Sequence, residues 1–170
     1  MEGKEKSVFE FKRQEDGQQW QPLNDTVMGG ISGSRLTITD GGTALFTGRV
    51  SLENYGGFAS VRSKAGEYDL GSFAGILLRF RGDGKRYKLV LKTDDAFEGT
   101  LYQVSFETLK DTWEIVRIPF REFVPTFRGR LLNNAPPLDN RSIKTFGFLI
   151  ADKQEGPFTL EIQSIAAYAA

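Results

Sequence analysis

Short segments in which apolar and polar residues alternate run through the whole chain, and no segment keeps the spacing of a helix. Alternation with a period of two is typical of strands that bury one face, because successive side chains of a strand point to opposite sides. Turns rich in Gly, Asp, Asn and Pro separate these segments, which are residues 7–11, 35–39, 43–50, 58–63, 76–81, 86–92, 101–106, 113–118, 146–151 and 158–168. The sequence therefore predicts an all-β sandwich or jelly roll of about ten antiparallel strands with minimal helix.

Two glycine-rich turns predict β-hairpins. Asp40-Gly41-Gly42 stands between residues 35–39 and 43–50, and Gly82-Asp83-Gly84 stands between residues 76–81 and 86–92. Glycine and aspartate adopt the backbone angles that tight hairpin turns need. We therefore expect each of these two pairs of segments to be neighbours in one sheet.

The length and composition predict one folded domain over residues 1–170. A chain of 170 residues with 39% hydrophobic residues can bury a substantial core without disulfides. Residues 1–6 are mostly charged, and we expect them to form a flexible N-terminal tail.

The balance of charge argues against some classes of partner. The chain has 22 Lys and Arg residues against 22 Asp and Glu residues. Nucleic-acid-binding domains concentrate positive charge, so we expect no nucleic-acid partner. The sequence also shows no secretory signal and no apolar run long enough to span a bilayer. These features predict no direct membrane insertion and a cytoplasmic location, peripheral to a membrane at most through a bound partner.

The chain contains neither histidine nor cysteine. This excludes a Ser-His-Asp triad, a thiol nucleophile and the usual ligands of transition metals. Asp94, Asp95 and Glu98 supply oxygen ligands suited to Ca²⁺, but their spacing differs from that of a calcium loop, and we interpret them as a solvated acidic loop. We expect no metal, no cofactor and no enzyme activity. A hydrolase based on two carboxylates is the enzyme class that the composition leaves open.

An unusual segment follows Trp20, which we interpret as a core residue rather than a ligand-stacking one. Its sequence is Asn-Asp-Thr-Val-Met-Gly-Gly, and its candidate binding residues are Asn24, Asp25, Met28, Gly29 and Gly30. Asn and Asp side chains bond to nearby backbone, and the glycines permit angles that other residues avoid. The segment is therefore either a shaped docking loop or a loop whose polar side chains only satisfy their own backbone.

A second segment allows the same two interpretations. Its candidate binding residues are Asn54, Tyr55, Gly56, Gly57 and Arg62. Arg62 stands inside a predicted strand, where a buried guanidinium needs a partner such as Asp25 or Glu53. We expect the two segments to meet in space, with Arg62 within reach of Asp25 or of a backbone carbonyl of the first segment.

Several blocks of sequence, in order along the chain, resemble the complex I intermediate-associated protein 30 family. The blocks are Trp20 with residues 24–30, residues 46–48, residues 51–62, residues 81–84 with Tyr87, Trp113 with residues 118–120, residues 127–130, and residues 147–150 with residues 152–154. Phe127 and Arg128 belong to one block and open a long loop to Asp139, of a length that is often functional. We add these two residues to the candidate binding surface.

The resemblance implies a galactose-binding-like β-sandwich and a role in assembly. It implies a non-catalytic assembly factor or chaperone-like binding module. The expected partner is a protein client, such as a subunit or assembly intermediate of a respiratory or photosynthetic electron-transfer complex in a membrane. The family provides no agreed catalytic residues.

A carbohydrate-binding module is the alternative from another functional class. Sugars are bound by aromatic faces and polar clamps, and Tyr55, Tyr102 and Trp113 are the candidate stacking rings. This hypothesis requires that the rings lie exposed in a concave groove.

Overall fold

Two antiparallel sheets pack face to face in the computed structural model, which describes residues 4–23, 32–53, 57–94 and 99–170. The strands are β1 (Glu5–Glu10), β2 (Trp20–Pro22), β3 (Gly33–Ile38), β4 (Ala44–Val50), β5 (Ala59–Ser63), β6 (Gly75–Arg81), β7 (Arg86–Lys92), β8 (Leu101–Glu107), β9 (Trp113–Pro119), β10 (Val124–Phe127), β11 (Arg130–Leu131), β12 (Thr145–Ile150) and β13 (Gly156–Tyr168). Short 3-10 helices lie at Gln14–Gln19 and Phe120–Glu122. The architecture confirms the predicted all-β sandwich, to which β2, β10 and β11 add three short strands.

The longest strand, β13, organises the six-stranded sheet, whose order is β3-β4-β13-β6-β9. Residues 156–162 of β13 pair with β4, and β1 takes that place beside residues 164–168. Glu5 and Lys6 pair with Tyr168 and Ala167. The expectation that residues 1–6 form a flexible tail is therefore wrong for Glu5 and Lys6, because backbone pairing with β13 holds them in the sheet.

The seven-stranded sheet has the order β11-β10-β8-β7-β12-β5-β2. Strand β12, between β7 and β5, alternates between the two faces, and Phe146, Phe148 and Ile150 are fully buried. Trp20 is 5% exposed and its ring stacks on that of Phe148, with ring centroids 5.9 Å apart. Trp20 is therefore the core residue that the sequence predicted.

The two expected hairpins have different outcomes. β3 and β4 pair on either side of the Asp40-Gly41-Gly42 turn, which confirms the first hairpin. The second is wrong, because β6 pairs with β13 and β9 in one sheet, whereas β7 pairs with β8 and β12 in the other. The Gly82-Asp83-Gly84 turn therefore carries the chain across the core from one sheet to the other.

Buried contacts explain why this turn crosses between the sheets. Asp83 accepts hydrogen bonds of 2.9 Å from the Tyr87 hydroxyl and from the backbone N–H of Thr159 in β13. A Cβ at Gly82 would overlap the side chain of Thr108, so the backbone passes too close for any other residue. The inward faces of β6 and β7 are both buried and mostly apolar, and they can cover each other only from opposite sheets.

The region between Pro119 and Asp139 is more ordered than the sequence predicts. Its first part is a single turn of 3-10 helix, β10 and β11 then pair with each other, and β10 pairs with β8. No helix in the described part of the chain is long and apolar enough to cross a membrane.

Candidate binding groove

A groove crosses the outer face of the seven-stranded sheet, over β5, β12 and β7, with a cavity volume of about 160 Å³. It is lined by Leu23, Phe58, Ser60, Val61, Arg62, Val90, Gly99, Leu101, Phe127, Arg128, Thr145, Gly147, Phe148 and Leu149. These lining residues, all from the described part of the chain, are mostly apolar and include two arginines and no carboxylate. The groove therefore suits a ligand that combines apolar surface with hydrogen-bond acceptors.

A glycine shapes the floor of the groove. Arg62, Gly147 and Val90 stand side by side in the register of β5, β12 and β7. A Cβ at position 147 would lie 2.9 Å from the carbonyl oxygen of Val61, which is closer than such atoms approach. Glycine in a strand often marks a close approach of another backbone, and here it leaves the floor without a side chain between Arg62 and Val90.

Polar side chains that point to this outer face are nevertheless buried. Lys92, Gln103, Thr126 and Thr145 are 1%, 7%, 5% and 7% exposed. The Gln103 side-chain amide donates a 2.7 Å hydrogen bond to the Thr126 hydroxyl, which in turn donates to the carbonyl of Leu101 at 3.0 Å. Satisfied polar groups fix the floor in one arrangement, so the groove is pre-formed.

The charge of one carboxylate, that of Asp94, acts on two cations at this face. Burial lowers the pKa of Arg62, and the charge of Asp94 opposes that shift. The ammonium of Lys92 lies 3.3 Å from Asp94 Oδ1, and the Lys92 side chain is 2% exposed. Asp94 is thus a charge partner of Arg62 that we did not predict. Guanidinium and ammonium groups beside an apolar groove favour a ligand with carbonyl or carboxylate oxygens.

The tight turn between β10 and β11 forms one rim of the groove. Arg128 and Gly129 have φ of 51° and 81°, which is the conformation of a two-residue hairpin turn with positive φ at both central positions. The Arg128 guanidinium carbon lies 5.4 Å from the ring centroid of Phe127, and Phe127 is 39% exposed. A non-glycine residue held at positive φ is strained, and such residues concentrate at functional sites.

The structure brings together part of the candidate site. Arg62, Phe127 and Arg128 all line the groove, and Gly57, with φ of 136°, directly precedes the lining residue Phe58. Asn24, Asp25, Met28, Gly29, Gly30, Asn54, Tyr55 and Gly56 lie outside the described residues, as does the expected contact of Arg62 with Asp25. Leu23 and Phe58, which border these two segments in sequence, both line the groove.

Sequence reasoning missed several residues of the groove and its surroundings. Val90, Leu149 and Gly147 line it, and Lys92 lies beside Asp94. A usable signal was present in β7, where apolar Val90 stands between Lys88 and Lys92 on the face opposite Leu89 and Leu91. In an ordinary surface strand, that face would be polar throughout.

The rings proposed to stack on a sugar do not line the groove. Tyr102 is 4% exposed, points to the core and donates a 2.9 Å hydrogen bond to the carbonyl of Pro136. Trp113 lies on β9, in the other sheet, and Tyr55 lies outside the described residues.

The acidic loop is only partly described, since Asp95 and Glu98 lie outside the described residues. Within the described ranges, no three acidic side chains come together to hold a metal ion.

Comparison with known sequences identifies relatives over most of the chain. The family model described as "Complex I intermediate-associated protein 30 (CIA30)" matches residues 9–162. The proteins named "Complex I intermediate-associated protein 30, mitochondrial" of Mus musculus and Drosophila melanogaster are 29% and 27% identical, over 95% and 93% of this chain and 55% and 61% of their own. An uncharacterized protein of Schizosaccharomyces pombe is 32% identical over 88% of this chain and 78% of its own. The chain thus spans little more than half the length of the first two relatives.

Solved structures with the same architecture include carbohydrate-binding modules. A family 11 module from Clostridium thermocellum, in complex with a β-1,3-1,4-mixed-linked tetrasaccharide, superposes with a TM-score of 0.75 over 100% of this chain and 98% of its own, at 16% identity. The family 11 module of the cellulase Lic26A-Cel5E gives a TM-score of 0.76 over 98% and 95%, at 15% identity. At these identities the likeness shows the fold alone, a galactose-binding-like β-sandwich.

The relatives correct one expectation from the sequence. The predicted cytoplasmic location is contradicted, because the named relatives from mouse, fly and Neurospora crassa are mitochondrial proteins. Together with the match over residues 9–162, these relatives establish that the chain belongs to the complex I intermediate-associated protein 30 family.

Proposed function

We propose that this chain is a non-catalytic binding module that acts in the assembly of respiratory complex I, and that the groove on its seven-stranded sheet holds a protein client. Family membership supports the assembly role. The names of the relatives describe association with a complex I intermediate and mention no reaction. A subunit or assembly intermediate of complex I is therefore the first client to test.

One observation carries the assignment of the client to the groove. Arg62 and the Phe127-Arg128 pair come from family-like blocks that are far apart in sequence, yet they line the same groove. Binding residues are often carried by loops and strand faces that a rigid scaffold brings together from distant parts of the chain. Convergence on an outer face is the arrangement expected of a binding surface.

The chemistry of the groove describes the client segment. Leu149, Val90 and Phe127 offer apolar contact, and the guanidinium groups of Arg62 and Arg128 offer donors to carbonyl or carboxylate oxygens. An extended protein segment with aliphatic side chains and at least one carboxylate meets these requirements. Aromatic residues and arginine are also the side chains that most often dominate the free energy of protein interfaces.

Affinity purification of the tagged full chain from its native cell, followed by mass spectrometry, tests this function. We expect complex I subunits to co-purify with the wild-type chain and to be depleted with Arg62→Lys and Phe127→Ala, which leave the core intact. Lys153→Ala, in the turn between β12 and β13, is the matched surface control and should retain them. The proposal fails if no complex I subunit is recovered and a deletion strain assembles complex I normally. It also fails if the groove variants and the control retain the client equally.

Carbohydrate binding is the second candidate, supported by the fold of the family 11 modules. The positions of Tyr102 and Trp113 weigh against it, because neither ring faces the groove. Isothermal titration with the β-1,3-1,4-mixed-linked tetrasaccharide and a glycan array test it directly. We expect no binding. Sugar binding that Phe127→Ala abolishes would instead assign the groove to carbohydrate.

A further inference from the structure

The outer face of the six-stranded sheet carries a second surface, far from the groove because it lies on the other sheet. It is formed by β6 and β9 and consists of Arg79, Arg81, Trp113, Ile115 and Arg117, which we call the arginine ridge. Trp113 and Ile115 are 37% and 63% exposed. Large apolar side chains interleaved with arginines are unusual on a free surface and are common at protein interfaces.

Aromatic rings hold the arginines of the ridge in place. The guanidinium carbons of Arg79 and Arg81 lie 5.9 Å and 5.2 Å from the ring centroid of Trp113, and that of Arg117 lies 5.5 Å from that of Tyr168. Arg81 also forms a 2.6 Å ion pair with Glu161. Within the described residues, Arg79 and Arg117 form no ion pair, so the ridge presents two positioned positive charges.

The ridge lies on an open sheet edge. β9 is the last strand of its sheet and pairs with β6 over seven residues in unbroken register. The opposite edge strand, β3, is covered, because the Gln14 side chain donates a 3.0 Å hydrogen bond to the carbonyl of Ile38. The edge strands of the other sheet, β2 and β11, have three and two residues. Strand β1 also pairs on one side only, but its register shifts between Ser7 and Phe9. Among the described strands, β9 is therefore the long edge in unbroken register, and such edges accept a further strand.

We propose that β9 and the arginine ridge bind an extended acidic segment of a protein partner, which adds to the sheet as a strand. Its backbone pairs with the free edge of β9, and its outward side chains alternate in register with Trp113, Ile115 and Arg117. A carboxylate then meets Arg117, an apolar side chain covers Ile115, and a second carboxylate meets Arg79, whose guanidinium already lies over β9. This partner site is independent of the groove and of its client.

The same features argue against a membrane surface as the occupant. Binding in the bilayer interface requires several protruding apolar side chains to insert together. On the ridge the ring of Trp113 is covered by two guanidinium groups, which leaves Ile115 as the one highly exposed apolar side chain among the five. A strand that carries an acidic, an apolar and a second acidic side chain at every second position matches both the charges and the spacing.

Fluorescence anisotropy with the full chain and labelled peptides tests the proposal. The probe, called the Glu/Val peptide, is a short peptide with Glu, Val and Glu at every second position and Thr between them, so that the three side chains share one face. The control peptides are its counterpart with Lys in place of Glu and a version with N-methylated backbone amides. We expect the Glu/Val peptide alone to bind, with affinity that falls in about 0.5 M salt as exposed charges are screened. Arg79→Glu with Arg117→Glu should weaken binding by about tenfold or more, since charge reversal replaces attraction by repulsion.

A matched control separates local contacts from net charge. Arg35→Glu with Arg49→Glu changes the net charge equally on the same outer face, at the β3–β4 side, and should leave the affinity within about twofold because screening limits distant charges. Absence of Glu/Val binding overturns the proposal, as does equal loss in the two double variants. Unchanged binding of the N-methylated peptide refutes pairing with the edge. Binding to anionic vesicles without peptide binding assigns the ridge to lipid instead.

Discussion

The hydroxyl of Tyr87 donates a 2.9 Å hydrogen bond to Asp83 Oδ1 and so ties the turn between the two sheets to the core. Burial, followed by the charge of Asp83, raises the pKa of Tyr87 far above its usual value. The pKa of Tyr87 in the folded state is therefore higher than the value of about 10 in the unfolded chain. Tyr87 contributes its full stabilisation to the fold below about pH 10, and this stabilisation is lost as the pH rises further. We therefore expect stability to fall steeply above about pH 10.

Tyr87→Phe tests this coupling. The variant removes a hydrogen bond to a charged acceptor, which should cost about 1.5–3 kcal/mol at neutral pH. It should also flatten the fall in stability at alkaline pH, because the phenylalanine side chain cannot ionise. Urea unfolding from pH 7 to alkaline pH measures both effects. An alkaline fall as steep as that of the wild-type chain would show that other groups cause it.

The Tyr87–Asp83 contact also shows where prediction from the sequence stops. Alternation located ten strands and their buried faces, because the period of two depends only on neighbouring residues. It placed β6 and β7 in one hairpin, because a Gly-Asp-Gly turn is equally compatible with pairing and with crossing between sheets. The choice is made by contacts of Asp83 and Gly82 with Thr159 and Thr108, which are distant in sequence.

The buried Lys92 and the half-exposed Asp94 predict unequal effects of removing either charge. Lys92→Met replaces a buried ammonium by an apolar side chain of similar length, which is often neutral for stability, so we expect a change within about 1 kcal/mol. Asp94→Asn removes a charged acceptor from a buried ammonium and should cost about 1–2 kcal/mol, a value reduced because solvent screens the exposed carboxylate. Chemical unfolding of the two variants measures the difference. A larger cost for Lys92→Met would contradict this account.

Some residues of the candidate groove could be predicted from the sequence, and others could not. Arg62, Phe127 and Arg128 were found through family-like blocks, since charged and aromatic residues stand out in a strand or turn. Lys92 and Gly147 were missed because their role depends on the register of β5, β12 and β7, which no local pattern specifies. The outer face of β12 forms the floor of the groove only because β5 and β7 pair with it on either side.

Gly147→Ala is expected to damage both the fold and the groove. Its Cβ would meet the carbonyl oxygen of Val61 at 2.9 Å, and this backbone atom can move only with β5. Overpacking of this kind costs about 1–3 kcal/mol. The added methyl also fills the floor beside Arg62, so Gly147→Ala should reduce recovery of the client. The control is Gly33→Ala, at an open position on β3, which should reduce recovery less. Equal stability of the two variants would refute the close-approach argument.

Arg128 and Gly129 give a prediction in which stability and binding change in opposite directions. Both residues have positive φ, which costs an ordinary residue about 1–2 kcal/mol, whereas glycine adopts it freely. Arg128→Gly relieves this strain, but glycine also increases the backbone entropy of the unfolded chain, which partly offsets the gain. We therefore expect the free energy of unfolding to be equal to that of the wild-type chain or up to about 1 kcal/mol higher. Gly129→Ala should lower it by about 1 kcal/mol. Because Arg128→Gly also removes a guanidinium from the rim, it should reduce client recovery. A stable Arg128→Gly variant that retains the client fully would exclude the Arg128 side chain from the binding surface.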